Sequence, residues 1–594
     1  MNPAATKSRY IAPIDGLRAI AVAAVVLYHL GVAWIPGGFL GVDLFFVISG
    51  YVITRLILDS IDSSSALDLR QFYASRAKRL LPGLLFLIFG AILISAIWAQ
   101  EAMRRLLADI PFVITGSNNW RLVAAHQDYF QTIGRPPLLQ HTWSLAVEAQ
   151  FYLVWPLILI GILRYFGKRN IARVALGIAA FSGIALFLFS LRVDSSSAGR
   201  ISHIYFGTDT HSLGLFLGAA LAVSWVPQNL SSSISQRAQD FVDGIGVFGL
   251  LGLLSTFLFV TESNPTLYKL AFPLAGIFGC ATITSLVHPS SRFAPLMSAR
   301  WLIWIGERSY GIYLWHWVIF QVTRPSVDLA GSALALNCAR ILLVLALADI
   351  SMRWIEIPIR RGLLQNWFRG MKYRTPKIKN QQKLLVAGVA ATVVIAATLA
   401  SVIGVSQGDL SAKKLAATLE AQSEVTPTPT STNPKSVIIE PKGLWVTGDS
   451  VILGIRSKLE SHEHIALINA RVGRQIQELT TVVTADRVHV PGATVILDLG
   501  NNNHLTTESV VALFELLKDQ PRIILVDTAV PRPWRADNNR IIKEVIKRYP
   551  QTQLVEWDVI SAGHPEFFAP DGVHLSDAGS DVYVAAILEK LGQK

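Results

Sequence analysis

Cysteine and charge are both scarce in this chain. Only two cysteines, Cys280 and Cys338, occur in 594 residues. Both sit in apolar runs, which excludes a disulfide framework and a cysteine-based metal site. Charged residues make up 16% of the chain, against about 25% in soluble globular proteins. With 52% hydrophobic residues and a mean hydropathy of +0.43, that deficit excludes a wholly soluble protein and a disordered one. Acidic residues are the scarcer sign, 41 against 53 basic. A pI near 9.6 would suit nucleic acid, but the basic residues flank apolar stretches, as in the cytoplasmic loops of membrane proteins. Nothing in the sequence indicates a metal or nucleic acid.

What is present is a succession of long apolar runs. A spanning helix needs roughly 20 mostly apolar residues. That window gives about eleven spans, near 13–33, 38–58, 80–99, 142–163, 172–191, 203–225, 241–261, 268–288, 302–322, 330–350 and 384–405. The last, Leu384 to Val405, carries no charge. The stretch 104–115 is too short and polar for a span and is expected to be re-entrant or interfacial. Lys7 and Arg9, the loop with Arg70, Arg76, Lys78 and Arg79, the loop with Arg164, Lys168, Arg169 and Arg173, and the basic segment Arg360 to Lys383 fall on one side. The positive-inside rule then puts the N-terminus in the cytoplasm and everything after Val405 outside. Asp15, Arg18 and His29 interrupt the first apolar run, which argues against a cleaved signal peptide.

Residues 406–442, with the run Thr426-Pro427-Thr428-Pro429-Thr430, cannot bury an apolar face and read as a linker. From Gly443 the periodicity is that of a soluble α/β domain, with strands at 443–447, 493–499, 522–527 and 553–557 and a last helix over 576–591. The expected division is a membrane domain over 1–365, a basic segment and last span over 366–405, the linker, and an α/β domain over 443–594.

The α/β domain carries a serine constellation. The strand Gly443-Leu444-Trp445-Val446-Thr447 runs into Gly448-Asp449-Ser450, and a serine at a strand-to-helix turn is exposed to substrate beside a helix N-terminus. Near the C-terminus stands Asp571-Gly572-Val573-His574. Each feature alone is also an ordinary capping turn. Together they form a triad in which Ser450 attacks, His574 takes the proton and Asp571 fixes the tautomer. An oxyanion hole then needs donors beside Ser450. Gly473 brings its backbone N–H close for want of a Cβ, and the Asn502 amide follows the strand Val495 to Leu499. In order and spacing, Ser450, Gly473, Asn502 and Asp571/His574 resemble the blocks of the SGNH (GDSL-like) hydrolase and acyltransferase superfamily. Asn503 stands where that superfamily often has Asp, which leaves Asn502 untouched.

The membrane part holds polar residues that a lipid-facing helix would not keep. Arg18 and His29 lie eleven residues apart, on nearly one helix face and about 16 Å apart along the axis. They are expected to line one cavity; the plainer alternative is a snorkelling arginine and a structural histidine. Asp15 and Asp43 fall in the first two spans, and Glu148 enters the fourth behind His141. Tyr313 and His316 lie in the ninth, and Asp209 in the sixth. Arg76 and Arg79 share a helix face and suit polyphosphate.

The motifs Arg18-x10-His29, Arg76-x-x-Arg79, His141-Thr142-Trp143-Ser144-Leu145-x-x-Glu148 and Ser309-Tyr310-x-x-Tyr313-Leu314-x-His316 resemble the acyltransferase-3 family of integral membrane acyltransferases. With the SGNH-like domain added, the chain resembles the fused O-acetyltransferases of bacterial envelopes. One departure is Thr208-Asp209-Thr210-His211, where the family usually has Arg after Asp-Thr. The resemblance implies a polytopic helical bundle joined to a periplasmic α/β domain in the bacterial inner membrane. It implies acetyl-CoA as donor substrate, with no bound cofactor, and an envelope glycan as acceptor. Arg76 and Arg79, with Arg18, would hold the donor phosphates; His29, with Glu148, would act on the thioester; Ser450 would pass the acetyl group to a sugar hydroxyl. Lipopolysaccharide O-antigen is the first acceptor expected, then peptidoglycan, then exopolysaccharide. A glycolipid transporter would leave the serine idle, and a membrane-anchored esterase would leave about ten spans without purpose.

Overall fold

The computed structural model describes residues 11–592 apart from 65, 126–134, 192–197, 262–266, 326–327, 330–331, 424–442, 472, 533 and 570–571. Its first part is helical. Helix α1 (Ala12–His29) starts with Pro13 in its first turn and Asp15 beside it. Proline fits there because its missing N–H would be unpaired anyway, and a carboxylate favours the positive helix end. Helices α2 (Gly41–Ser64), α3 (Leu69–Trp98), α4 (Trp143–Tyr165), α5 (Arg169–Ser190), α6 (Leu213–Ser224), α7 (Gln236–Phe259) and α8 (Phe272–Leu286) follow. After them come α9 (Arg300–Val322), α10 (Ala333–Ile350) and α11 (Pro376–Ser423).

Among the described residues, nine helical stretches are long and apolar enough to cross a bilayer. They overlap nine of the eleven expected spans. The other two differ for a readable reason. The polar run Thr208 to His211 breaks 203–225 into Ala198–Phe206, Thr208–His211 and the 12-residue α6. Helix α9 is 23 residues long, but it carries Arg300, Glu307 and Arg308 and is mostly buried in protein rather than apolar throughout. The 104–115 segment forms the 12-residue helix Met103–Ile114, about 18 Å long and too short for a hydrocarbon core of about 30 Å.

Two close approaches position the bundle's polar residues. A Cβ on Gly306 of α9 would lie 1.9 Å from the Asp15 carbonyl oxygen of α1. Only glycine lets the helices meet there. From that point α1 and α9 run in the same direction, so His29 and His316 meet near their far ends. Likewise a Cβ on Gly50 would lie 1.9 Å from the Leu215 carbonyl, which ties α2 to α6.

The C-terminal part is an α/β domain with cores of its own on the two sheet faces. Its strands are β1 (Leu444–Gly448), β2 (Ile465–Ala470), β3 (Thr494–Asp498), β4 (Arg522–Val526) and β5 (Thr552–Val555). All pair in parallel, in the order β2-β1-β3-β4-β5. Helices α12 (Ser450–Glu460), α13 (Ile476–Asp486), α14 (Thr507–Leu517), α15 (Arg535–Val545) and α16 (Asp577–Leu591) pack around the sheet. The four expected strands and the last helix are present within a residue or two; β2 was not expected. The chain leaves β1 for β2 on one side and returns for β3 on the other. That switch point opens a crevice at the carboxyl ends of β1 and β3, where open parallel sheets bind ligands.

Candidate active site

Ser450 lies at that crevice, one residue beyond the Asp449 cap of α12. The Asp449 side chain accepts a hydrogen bond from the Val451 N–H at 2.9 Å, so the chain turns sharply out of β1 and into the helix. Beyond β3, Gly500 takes a left-handed φ of 98°, which turns Asn501 and Asn502 toward β1. Asn502 Nδ2 donates to Asp449 Oδ2 at 2.6 Å and to the Arg474 carbonyl at 3.2 Å. The loop with Gly473, itself at φ 75°, is thereby held beside the serine, and Arg474 also donates to the Gly448 carbonyl at 3.2 Å. Ser450, Gly473 and Asn502 thus lie on three loops brought to one end of the sheet.

His574 precedes α16. Its neighbour Val573 lines a small cavity with Val451 and Asn501, the residues next to Ser450 and Asn502. His574 also acts electrostatically on Asp449. The triad carboxylate expected at Asp571 lies outside the described residues. Sequence reasoning missed a group of buried acids beneath the serine. Asp498 accepts from Asn501 Nδ2 at 2.8 Å and from the Tyr583 hydroxyl at 3.2 Å. Burial, and then the charge of Asp449, push its carboxyl well above the usual range. Burial also raises Asp449, and it pushes Asp527 up to about 7. The signal available was an aspartate closing each of the strand runs at 498 and 527.

In the bundle, the candidates fall into two cavities. The inner one, of about 80 Å³, is lined by Arg18, Arg76, Arg79, Glu148, Tyr152 and Tyr313 among others. Glu148 accepts from Ser49 at 2.8 Å and from Tyr152 at 2.9 Å. Ser49 and Tyr152 were not foreseen, although Tyr152 stands four residues after Glu148, on the same helix face. Arg18 pairs with Asp15 at 3.3 Å. The outer cavity, of about 330 Å³, is lined by Tyr28, His29, Trp317 and residues of the α/β domain. Arg18 and His29 therefore do not line one cavity. A fixed helix carries them to opposite ends of the bundle interior, about 16 Å apart.

A buried polar layer separates the two spaces. The Tyr313 hydroxyl meets Ser144 at 2.7 Å and donates to the His141 carbonyl at 2.8 Å. His141 Nε2 donates to the Leu314 carbonyl at 3.0 Å. His316 Nδ1 lies 2.6 Å from the Tyr313 carbonyl and must donate to it, since a carbonyl only accepts. In the neutral ring His316 Nε2 is then an acceptor, and His29 Nδ1 donates to it at 3.1 Å. That fixes His29 as the Nδ1–H tautomer and makes Nε2 its basic nitrogen.

The remaining candidates stand apart. Asp43 pairs with His211 at 3.1 Å in the core, so the histidine at the unusual Asp-Thr-His position has a carboxylate partner. Asp209 is not brought into either cavity; it pairs with the half-exposed His203 at 3.0 Å.

A polytopic helical bundle joined to a parallel α/β domain, with one histidine tautomer set by another in the bundle and a serine at the sheet's switch point, defines a two-domain membrane enzyme. The acyltransferase domain family called acyltransferase 3 matches residues 11–353, and the chain belongs to it. The peptidoglycan O-acetyltransferase OatA of Listeria monocytogenes is 32% identical over 98% of this chain and 98% of its own. The O-acetyltransferase OatA of Staphylococcus aureus is 33% identical over 98% and 96%. Neither is named for O-antigen. Among solved structures, LAE5, an alpha/beta hydrolase from the metagenome of Lake Arreo, is 17% identical and covers 26% of this chain and 95% of its own, with a TM-score of 0.23. The lipase/acylhydrolase of Enterococcus faecalis is 16% identical, with the same coverage and a TM-score of 0.22. The chain is a multi-pass membrane O-acetyltransferase.

Proposed function

We propose that this enzyme moves acetyl from cytoplasmic acetyl-CoA across the cytoplasmic membrane to a hydroxyl of an envelope glycan, and that the glycan is peptidoglycan. The name of the Listeria relative, which matches nearly end to end, favours peptidoglycan over the O-antigen first expected from sequence. The observation that carries the reading is the polar layer of Tyr313, His141, His316 and His29 between an arginine-rich inner cavity and an outer cavity roofed by the α/β domain. The donor enters through the arginine-lined cavity. Arg76 and Arg79, with Arg18, hold its phosphates at the cytoplasmic mouth, where the basic loops argue for that orientation. The thioester arm spans the roughly 16 Å to His29.

There His29 Nε2 attacks the thioester carbonyl. The C–S bond breaks, an N–acetyl bond forms, and the thiolate leaves and takes up a proton. The acetyl group then passes to Ser450 Oγ as the His29–acetyl bond breaks, and the serine proton goes to His574 and on to solvent. The sugar hydroxyl next attacks the ester; His574 takes its proton and returns it to Ser450 Oγ as the ester bond breaks. Gly473 and Ser450 N–H groups and the Asn502 amide stabilise the oxyanion.

The test is peptidoglycan acetyl content, by mass analysis of muropeptides, in a deletion strain complemented with wild type, His29→Ala or Ser450→Ala. Both variants are expected to lose acetylation. Normal acetylation with either one refutes that residue's step. Acetate found only on O-antigen or exopolysaccharide refutes the acceptor. Cleavage of the C-terminal domain by protease added to intact spheroplasts checks the orientation.

A further inference from the structure

The outer cavity has a charge that the transfer chemistry does not use. Among the described residues, four arginines line it and no carboxylate does. Arg324 and Arg340 come from the bundle; Arg532 and Arg535 come from the loop after β4 and the start of α15 in the α/β domain. At least two of the four already face acids. Arg324 meets Asp328 through two bonds of 2.9 and 3.0 Å, and Arg535 meets Asp558 at 2.5 Å. Arg340 does not. Its Nη1 donates to the Asn337 amide oxygen at 2.7 Å and its Nη2 to the Phe320 carbonyl at 3.1 Å. Both acceptors are neutral. Its Nε is buried with no hydrogen-bond partner among the described residues, and the residue is only 7% exposed. A cation this deep donates its hydrogen bonds to neutral oxygens, and Asp328, the carboxylate that acts on it, is already held by Arg324 and Arg135; it is costly unless an anion visits it.

We propose that this vestibule binds a carboxylate of the acceptor glycan and thereby selects acidic glycans, with Arg340 as its principal contact and Arg532 lining it from the other domain. The inference rests on the transferase reading and names the charge of its acceptor. A planar guanidinium grips a carboxylate through paired N–H donors. The cavity's 330 Å³ lies in the range of about 300–1,000 Å³ usual for small-molecule sites. Trp317 and Tyr28 give it apolar walls on which a sugar ring can lie, and His29 opens on the same space. A sugar fixed here by its acid group therefore sits between the histidine of the bundle and the domain that carries Ser450. A lipid headgroup is the weaker fit, because half of the arginines belong to the α/β domain rather than to the membrane helices.

The test is binding to the full chain in nanodiscs without donor, so that it does not depend on turnover. The probes are a fluorescent disaccharide with one free carboxylate and its carboxyl-reduced counterpart. The acid is expected to bind at least about tenfold more tightly, the effect of one charge-assisted contact, and to weaken as salt rises. Arg340→Gln and Arg532→Gln, placed in different domains, should each shrink that ratio toward one; the Arg532 change keeps the test sound if the Arg340 change unfolds the bundle. Equal affinity of wild type for both probes overturns the proposal, as does a ratio that survives both substitutions. A preference abolished by replacing zwitterionic with anionic lipid in the nanodisc also overturns it and assigns the site to a headgroup. Loss of acetyl transfer with the binding preference intact would instead count against the transferase reading alone.

Discussion

Replacing His316 with alanine isolates what one buried imidazole does for another. The two rings meet through a single bond of 3.1 Å, and His316 is fully buried. The bond fixes the proton on His29 Nδ1 and leaves the lone pair on Nε2. Alanine removes the only acceptor that His316 offers. A buried hydrogen bond lost in this way costs about 1–3 kcal/mol, and each 1.4 kcal/mol is a factor of ten. If that energy holds the tautomer and ring orientation, kcat for glycan acetylation should fall roughly 10- to 100-fold, with KM for acetyl-CoA changed less than threefold. His316→Gln, whose amide oxygen can accept from Nδ1–H, should recover most of the loss. The assay is acetyl transfer to glycan by the full chain in nanodiscs. A kcat for His316→Ala within twofold of wild type, or no rescue by glutamine, would refute the reasoning and leave His316 a packing residue.

Three further outcomes are expected. Arg76→Gln and Arg79→Gln should each raise KM for acetyl-CoA about tenfold or more but leave KM for acetyl-pantetheine, which lacks the nucleotide phosphates, unchanged; kinetics with the two donors decide it. Asp527, 1% exposed, has its carboxyl raised to about 7 from an unfolded value of about 3.9. The folded domain therefore binds the extra proton between those values. Stability is full below about pH 4 and declines as pH rises through 7, by at most about 4 kcal/mol. Hydrogen exchange of β4 amides should show this decline, and Asp527→Asn should flatten it. Gly306→Leu forces α1 and α9 apart by more than 1 Å from a 1.9 Å approach, at about 1–3 kcal/mol. It should lower the melting temperature and reduce acetylation by spoiling the His29–His316 geometry, while Gly388→Leu, with open space around it, should do neither.

The sequence was most informative where one physical period dominates. Long apolar runs marked the bundle, and short ones between turn residues marked β1, β3, β4 and β5. It failed at β2, an edge strand whose residues are largely half-buried and whose alanines and asparagine dilute the apolar signal. It also failed at 203–225, where counting apolar residues overlooked Thr208 to His211 as a helix breaker. Helix periodicity correctly set the 16 Å between Arg18 and His29 but could not show that Tyr313, His141 and His316 divide the space between them; that division depends on α9 meeting α1 at Gly306. The serine motif located the crevice. The hydrogen bonds of Asn502 were not legible, because Asp449 and Arg474 reach it from loops far away in the chain.

Those bonds bear on a hazard specific to a transferase that works in water. Both N–H groups of the Asn502 amide are already engaged, one by the Asp449 carboxylate and one by the Arg474 carbonyl. Any tetrahedral adduct at Ser450 must win one of them back before it is stabilised. A small, mobile nucleophile gains little from the surroundings with which to do so, whereas a large acceptor can rearrange these loops as it docks. In the proposed mechanism, the quiet state of the crevice would thus protect a captured acyl group from being squandered on solvent.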